Sequence, residues 1–197
     1  MRLRGFLVGL IAAATMLVAP PLSAPPMSAA APAPPLSGLT DAVAGRLVLA
    51  DAVAASKWAS GAAIDDPARE QVVLDTVSQL AVDRNLDPAY VRNVFRDQIE
   101  ASKTVQRGLF ALWELPGQAA PPATPDLGPV RAAINEFNVA IVDELAASRN
   151  VVTTLRCPPE LAVSNARSAA GAGFDPLHVA ALAQAGASVC AVSTGSS

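Results

Sequence analysis

The sequence predicts an all-α protein: a bundle of six helices whose last two form a hairpin pinned by a disulfide. Three observations carry this. Apolar residues recur every three or four positions through most of the chain, and no alternating strand pattern of any length appears. Residues are 52% hydrophobic but only 4% aromatic, which favours helices packed through small side chains over a sheet sandwich. Helix-start pairs, Asp66-Pro67, Asp87-Pro88, Pro158-Pro159 and Asp175-Pro176, punctuate the chain.

The N-terminus reads as a secretory signal over residues 1–30. Arg2 and Arg4 give a positive start, and Phe6 to Val18 an apolar core too short to span a membrane with these flanks. Small residues at Ser28 to Ala31 place the cleavage near Ala29 to Ala31. A Pro/Ala-rich linker, 31–37, leads into the helical domain, 38–190, and residues 191–197 form a disordered tail. No membrane association is expected once the signal is removed.

Helix one is expected from about Leu39 to Ser60, capped by Ser37 or Thr40 and ended by Gly61. Its apolar stripe is Leu39, Val43, Leu47, Ala50, Val53 and Ala54. Helix two starts at Asp66-Pro67, turns Val73, Val77, Leu80 and Ala81 inward, and ends near Asn85. Helix three starts at Asp87-Pro88 and carries Val91, Phe95, Ile99, Leu109, Phe110 and Trp113. Leu115 to Pro129 is a Pro-rich connector. Helix four carries Val130, Ile134, Phe137, Ile141 and Leu145, with Arg131 in its first turn. Two shorter helices, about 159–170 and 176–190, close the chain. The two cysteines of an exported chain, Cys157 and Cys190, suggest one disulfide across that hairpin. Such a bridge is worth roughly 3 kcal/mol in the chain-entropy description.

Several polar residues lie where apolar ones belong. Arg46 and Lys57 are eleven apart, so three helical turns return both to the inward stripe of helix one. Buried cations are costly unless something anionic meets them. Ser102 and Gln106, one turn apart, interrupt the stripe of helix three. Asp66, Arg69 and Glu70 open helix two. These residues outline a pocket for a small polyanion. A net charge of −3 argues against a nucleic-acid partner. Two paired cysteines and the single His178, read as a surface or half-buried residue, leave no metal site.

The joint spacing of Arg46, Lys57, Asp66, Arg69, Glu70, Ser102 and Gln106 resembles that of the all-helical AroQ-type chorismate mutases. The signal peptide, Lys57-Trp58, the stretch from Asp87 to Ser102, the Trp before a Pro-rich loop and the two cysteines resemble the secreted gamma subclass, typified by exported mycobacterial enzymes. The resemblance spans about residues 38–190. It implies a cofactor-free isomerase, secreted or periplasmic, that rearranges chorismate to prephenate as a homodimer with one complete site per protomer. It implies that Arg46 and Arg131 bind the substrate carboxylates, and that Lys57 and Gln106 donate to the ether oxygen. Ser102 would hold a carboxylate, and Asp66, Glu70 and Arg69 the ring-hydroxyl corner. The mycobacterial pattern has Glu at position 106, Thr at 102 and Gln at 73, where this chain has Gln106, Ser102 and Val73. The competing readings are a secreted helical binding protein that has lost turnover, and an exported dicarboxylate carrier. Trp58, Phe95 and Trp113 are expected in the core.

Overall fold

The structure is a computed structural model that describes residues 33–119, 121 and 125–191. The expected signal segment and nearly all of the expected tail lie outside the described residues. Among those described there are seven helices and no strand. They are α1 (Ser37–Ser60), α2 (Pro67–Asp83), α3 (Pro88–Trp113), α4 (Leu127–Ala147), α5 (Arg149–Val152), α6 (Cys157–Ala172) and α7 (Pro176–Ala185). No described helix is long and apolar enough to cross a membrane.

The all-α expectation holds, and the single turn α5 is the element it lacked. Helix ends differ where local hydrogen bonding overrides pattern. Helix α1 starts at Ser37, and neither Ser37 nor Thr40 caps it: their hydroxyls bond back to the carbonyls of Pro34 and Leu36. The Thr40 hydroxyl also lies 2.8 Å from that of Ser168, joining α1 to α6. Gly61, at φ 67°, ends α1 in the left-handed conformation that glycine adopts without penalty. Helix α2 stops at Asp83, and Asn85 takes the left-handed turn at φ 55°. Helix α4 starts two residues before Pro129, because the Asp126 carboxylate accepts from the Gly128 amide at 2.8 Å. Pro129 then occupies the first turn, where its missing N–H has no helical partner to lose. Arg131 therefore sits in the second turn, not the first. Helix α7 ends at Ala185 rather than 190, and Gly186 to Val189 turn the chain toward Cys190.

Helix α1 packs against α3, α4, α6 and α7, and α3 lies among α1, α2 and α7. Helix α3 is therefore buried on more than one face, with Val94, Ala101 and Val105 fully enclosed beside the expected stripe. Phe95 is fully buried as expected, whereas Trp58 and Trp113 are half-buried, and Trp58 packs edge-on against both Phe110 and Trp113. Gly45 sets the α1–α4 spacing: a methyl group there would fall 2.4 Å from the Phe137 ring.

The disulfide joins Cys157, the first residue of α6, to Cys190, with an S–S distance of 2.04 Å. The C-terminal hairpin is fastened to α3 by four further bonds, one of them from the Thr104 hydroxyl to Gln184 Oε1 at 2.9 Å. The Tyr90 hydroxyl donates to the Val189 carbonyl at 2.6 Å, the Ser188 amide to Asp97 at 2.8 Å, and the Gln98 amide to the Ala185 carbonyl at 2.8 Å. His178 is more enclosed than the surface or half-buried residue expected. It is 8% exposed, with Nδ1 2.8 Å from Asp175 and Nε2 3.0 Å from Asp51 of α1.

Candidate active site

Every site residue expected from the sequence lines one cavity of about 130 Å³ between α1, α2, α3 and α4. Helix α1 supplies Arg46 and Lys57. The first turn of α2 and its cap supply Asp66, Arg69 and Glu70. Helix α3 supplies Ser102 and Gln106, and α4 supplies Arg131. Val53, Val73, Ile99 and Ile134 form the apolar wall.

The α2 start is fixed by its own sequence. Asp66 accepts from the Arg69 amide at 3.1 Å, and Glu70 reaches back to the Asp66 amide at 3.4 Å. This reciprocal cap holds the Glu70 carboxylate at the rim of the cavity.

Arg46 is 7% exposed. Its Nε donates to Asn138 Oδ1 at 2.9 Å, and its Nη1 donates to the Gln98 carbonyl at 3.2 Å. No carboxylate among the described residues pairs with it, and burial lowers its pKa to about 10. Lys57 donates to the Ile64 carbonyl in the loop before α2. Burial lowers its pKa, and the nearby Asp66, Asp65 and Glu70 only partly offset that. Arg69 and Arg131 also make no salt bridge among the described residues, although other surface cations do: Arg84 pairs with Asp143, Arg92 with Asp75, and Arg156 with Glu160. Four cations thus line one cavity without an ion-paired carboxylate.

Gln106 Nε2 donates to Ser102 Oγ at 3.2 Å, while Gln106 Oε1 is buried without a partner. An amide turned through 180° would accept from the serine hydroxyl instead and free its N–H groups for a ligand acceptor.

Two residues at the site escaped the sequence reading. Lys103 lines the cavity beside Ser102 and is only 8% exposed. It sits four residues after Ile99 and three before Gln106, so the helical period that flagged Ser102 could have flagged it too. Asn138, which orients Arg46, is fully enclosed next to Phe137 on α4. The polar side chain beside an apolar stripe was its only signal. No cluster suited to a metal ion occurs among the described residues.

Comparison with known proteins agrees with this geometry. A family described as chorismate mutase type II matches residues 37–107. A secreted chorismate mutase of Mycolicibacterium smegmatis is 45% identical over 84% of this chain and 91% of its own length. One from Mycobacterium tuberculosis is 33% identical over 84% of this chain and 83% of its own length. The crystal structure of a chorismate mutase from Burkholderia phymatum superposes with a TM-score of 0.76 at 31% identity, covering 79% of this chain and 96% of that one.

Proposed function

This chain belongs to the chorismate mutase type II family, and from that premise we propose how its cavity performs the rearrangement of chorismate to prephenate. The activity is that of an isomerase, and the relatives are secreted enzymes. The reaction moves no group between molecules. One carbon–oxygen bond of the enolpyruvyl ether breaks while a carbon–carbon bond forms within the same substrate, and the electron count closes without an acid, a base or a redox partner.

The observation that carries the assignment of roles is the set of unpaired cations, Arg46 above all. A buried guanidinium with no counter-charge is unfavourable alone and favourable once an anion arrives. Chorismate brings two carboxylates. Arg46 and Arg131 hold them, since an arginine fork matches carboxylate geometry. Ser102 adds a hydroxyl donor to one carboxylate. Fixing both ends holds the substrate in the compact conformer in which the reacting carbons meet, which removes entropy from the barrier.

Negative charge then grows on the ether oxygen as its bond to carbon breaks. Lys57 and Gln106 donate to that oxygen, and donors fixed in advance stabilise the transition state more than the ground state. Lys57 exchanges the Ile64 carbonyl for the substrate. Glu70 accepts from the ring hydroxyl and the Asp66 backbone N–H donates to it, with Arg69 at that corner. Gln106 donates without being protonated, so no acid optimum arises from it.

The mature protein is exported after loss of residues 1–30 and works as a homodimer with one site per protomer. The location of Arg131 on the same chain's cavity supports the second point. The test is direct. Purified mature protein consumes chorismate, followed by loss of its absorbance, and Lys57→Ala lowers kcat more than it weakens binding. An inert wild-type protein would sink the assignment, and equal losses in kcat and affinity would remove Lys57 from the breaking bond.

A further inference from the structure

Lys103 stands out because it is the most buried lysine beside the site and the one cation lining the cavity that is fully paired. Its Nζ lies 3.2 Å from Glu70 Oε1 and 3.1 Å from Asp65 Oδ1, and it also pairs with Glu100. Arg107 joins the cluster from the next turn of α3, 3.0 Å from Asp65. Burial opposes the charge on Lys103, but the hydrogen bonds it donates to the three carboxylates outweigh that and raise its pKa. The side chain is a permanent cation at any ordinary pH.

Its partners explain what such a cation does. Asp65 lies in the loop before α2, and Glu70 in the first turn of that helix. Glu70 Oε1 is taken by Lys103 and the Asp66 amide, and Oε2 has no partner among the described residues. Without Lys103, Glu70 would be left facing the unpaired cations of the cavity it lines, among them Lys57, whose charge the Glu70 carboxylate already favours. A carboxylate swung onto Lys57 would compete with the substrate for the donor that the breaking bond needs.

We propose that Lys103 is a positioning residue for the rearrangement: it holds Glu70 on the substrate's ring hydroxyl and away from the cations reserved for the substrate. This rests on the reading of Glu70 as the hydroxyl acceptor. Lys103 acts through Glu70, so the two are coupled, not independent.

The experiment is a double-mutant cycle on the full mature chain. Glu70→Gln, Lys103→Met, the double variant and Lys103→Arg are assayed with chorismate, and inhibition by a chorismate analogue lacking the ring hydroxyl is measured on each. Lys103→Met preserves most of the buried stem, and the urea midpoint of each variant checks folding. If Lys103→Met does not fold, Lys103→Gln takes its place in the cycle. The preference for chorismate over the deoxy analogue should fall about tenfold in Lys103→Met. It should fall no further in the double variant than in Glu70→Gln, and Lys103→Arg should restore it. A purely structural lysine would weaken chorismate and analogue alike. Losses that multiply in the double variant overturn the role of Lys103 and leave Glu70 in place. A Glu70→Gln enzyme with unchanged preference overturns both.

Discussion

Replacing Arg46 by methionine should nearly abolish catalysis while leaving the protein folded. Burial lowers the pKa of the guanidinium from its ordinary value to about 10. At 1.36 kcal/mol for each tenfold change in proton affinity, keeping it charged costs the empty protein about 3 kcal/mol. The sign is clear: this cost is fully present at neutral pH and fades only above pH 10. Methionine removes the cost and fills similar volume. It also strips the donors from Asn138 Oδ1 and the Gln98 carbonyl, and orphaning a buried acceptor costs about 1–3 kcal/mol. The two effects oppose: two acceptors cost about 2–6 kcal/mol together and about 3 kcal/mol is recovered, so the net change runs from about 1 kcal/mol gained to about 3 kcal/mol lost, against the 2–5 kcal/mol lost on truncating a buried side chain. Activity has no such compensation. Losing two charge-assisted bonds to a carboxylate, each worth about 1.5–3 kcal/mol, lowers kcat/KM by roughly a thousandfold. Urea unfolding with and without a dianionic ligand, beside the chorismate absorbance assay, measures both quantities. Wild-type protein should be stabilised by the ligand and the variant should not. Unfolding of the empty variant at more than about 4 kcal/mol lower stability, or a kcat/KM within tenfold of wild type, would refute the reasoning.

Three more outcomes follow from the same geometry. Gln106→Glu should create the acid optimum that the wild type lacks, with kcat/KM falling tenfold per pH unit above the new carboxyl's pKa, and a flat profile in the variant would count against the Gln106 donor. Replacing Cys157 and Cys190 by serine removes a bridge across 33 residues of sequence, and the urea midpoint should report a loss of about 3.7 kcal/mol. Burial alone would lower the pKa of His178, but hydrogen bonds to the carboxylates of Asp175 and Asp51 outweigh it and raise it. Its contribution is complete below its unfolded value near 6.5 and is lost as pH climbs through the higher folded one. Stability should therefore decline on the alkaline side of neutrality, and His178→Gln should flatten that slope in melts taken between pH 6 and 9.

The helical periodicity located four long helices and the C-terminal hairpin because each has a Pro or Gly punctuating it. The residues flagged on inward stripes do meet at one cavity. Periodicity failed where one helix serves two neighbours. Helix α3 is enclosed by α1, α2 and α7, so a single-stripe reading left Val94, Ala101 and Lys103 outside the core. It also failed where a side chain replaces a backbone rule. Asp126 caps α4 ahead of Pro129, and Thr40 bonds back within α1 instead of capping it. His178 escaped because its two carboxylate partners, Asp51 and Asp175, are 124 residues apart in sequence. Asn138 escaped for a similar reason: its partner is on another helix, 92 residues away.

Gln98 faces two ways. Its carbonyl accepts from Arg46 in front, and its side-chain amide donates to Ala185 behind. At 2% exposure, that amide has no water to turn to. The C-terminal hairpin is therefore not an appendage that could be trimmed to leave a minimal enzyme of four helices. A shortened chain would have to be redesigned at position 98 before Arg46 could stand where it does. Among the described residues no part of the cavity wall comes from beyond α4, yet the hairpin holds from behind the residue that holds Arg46.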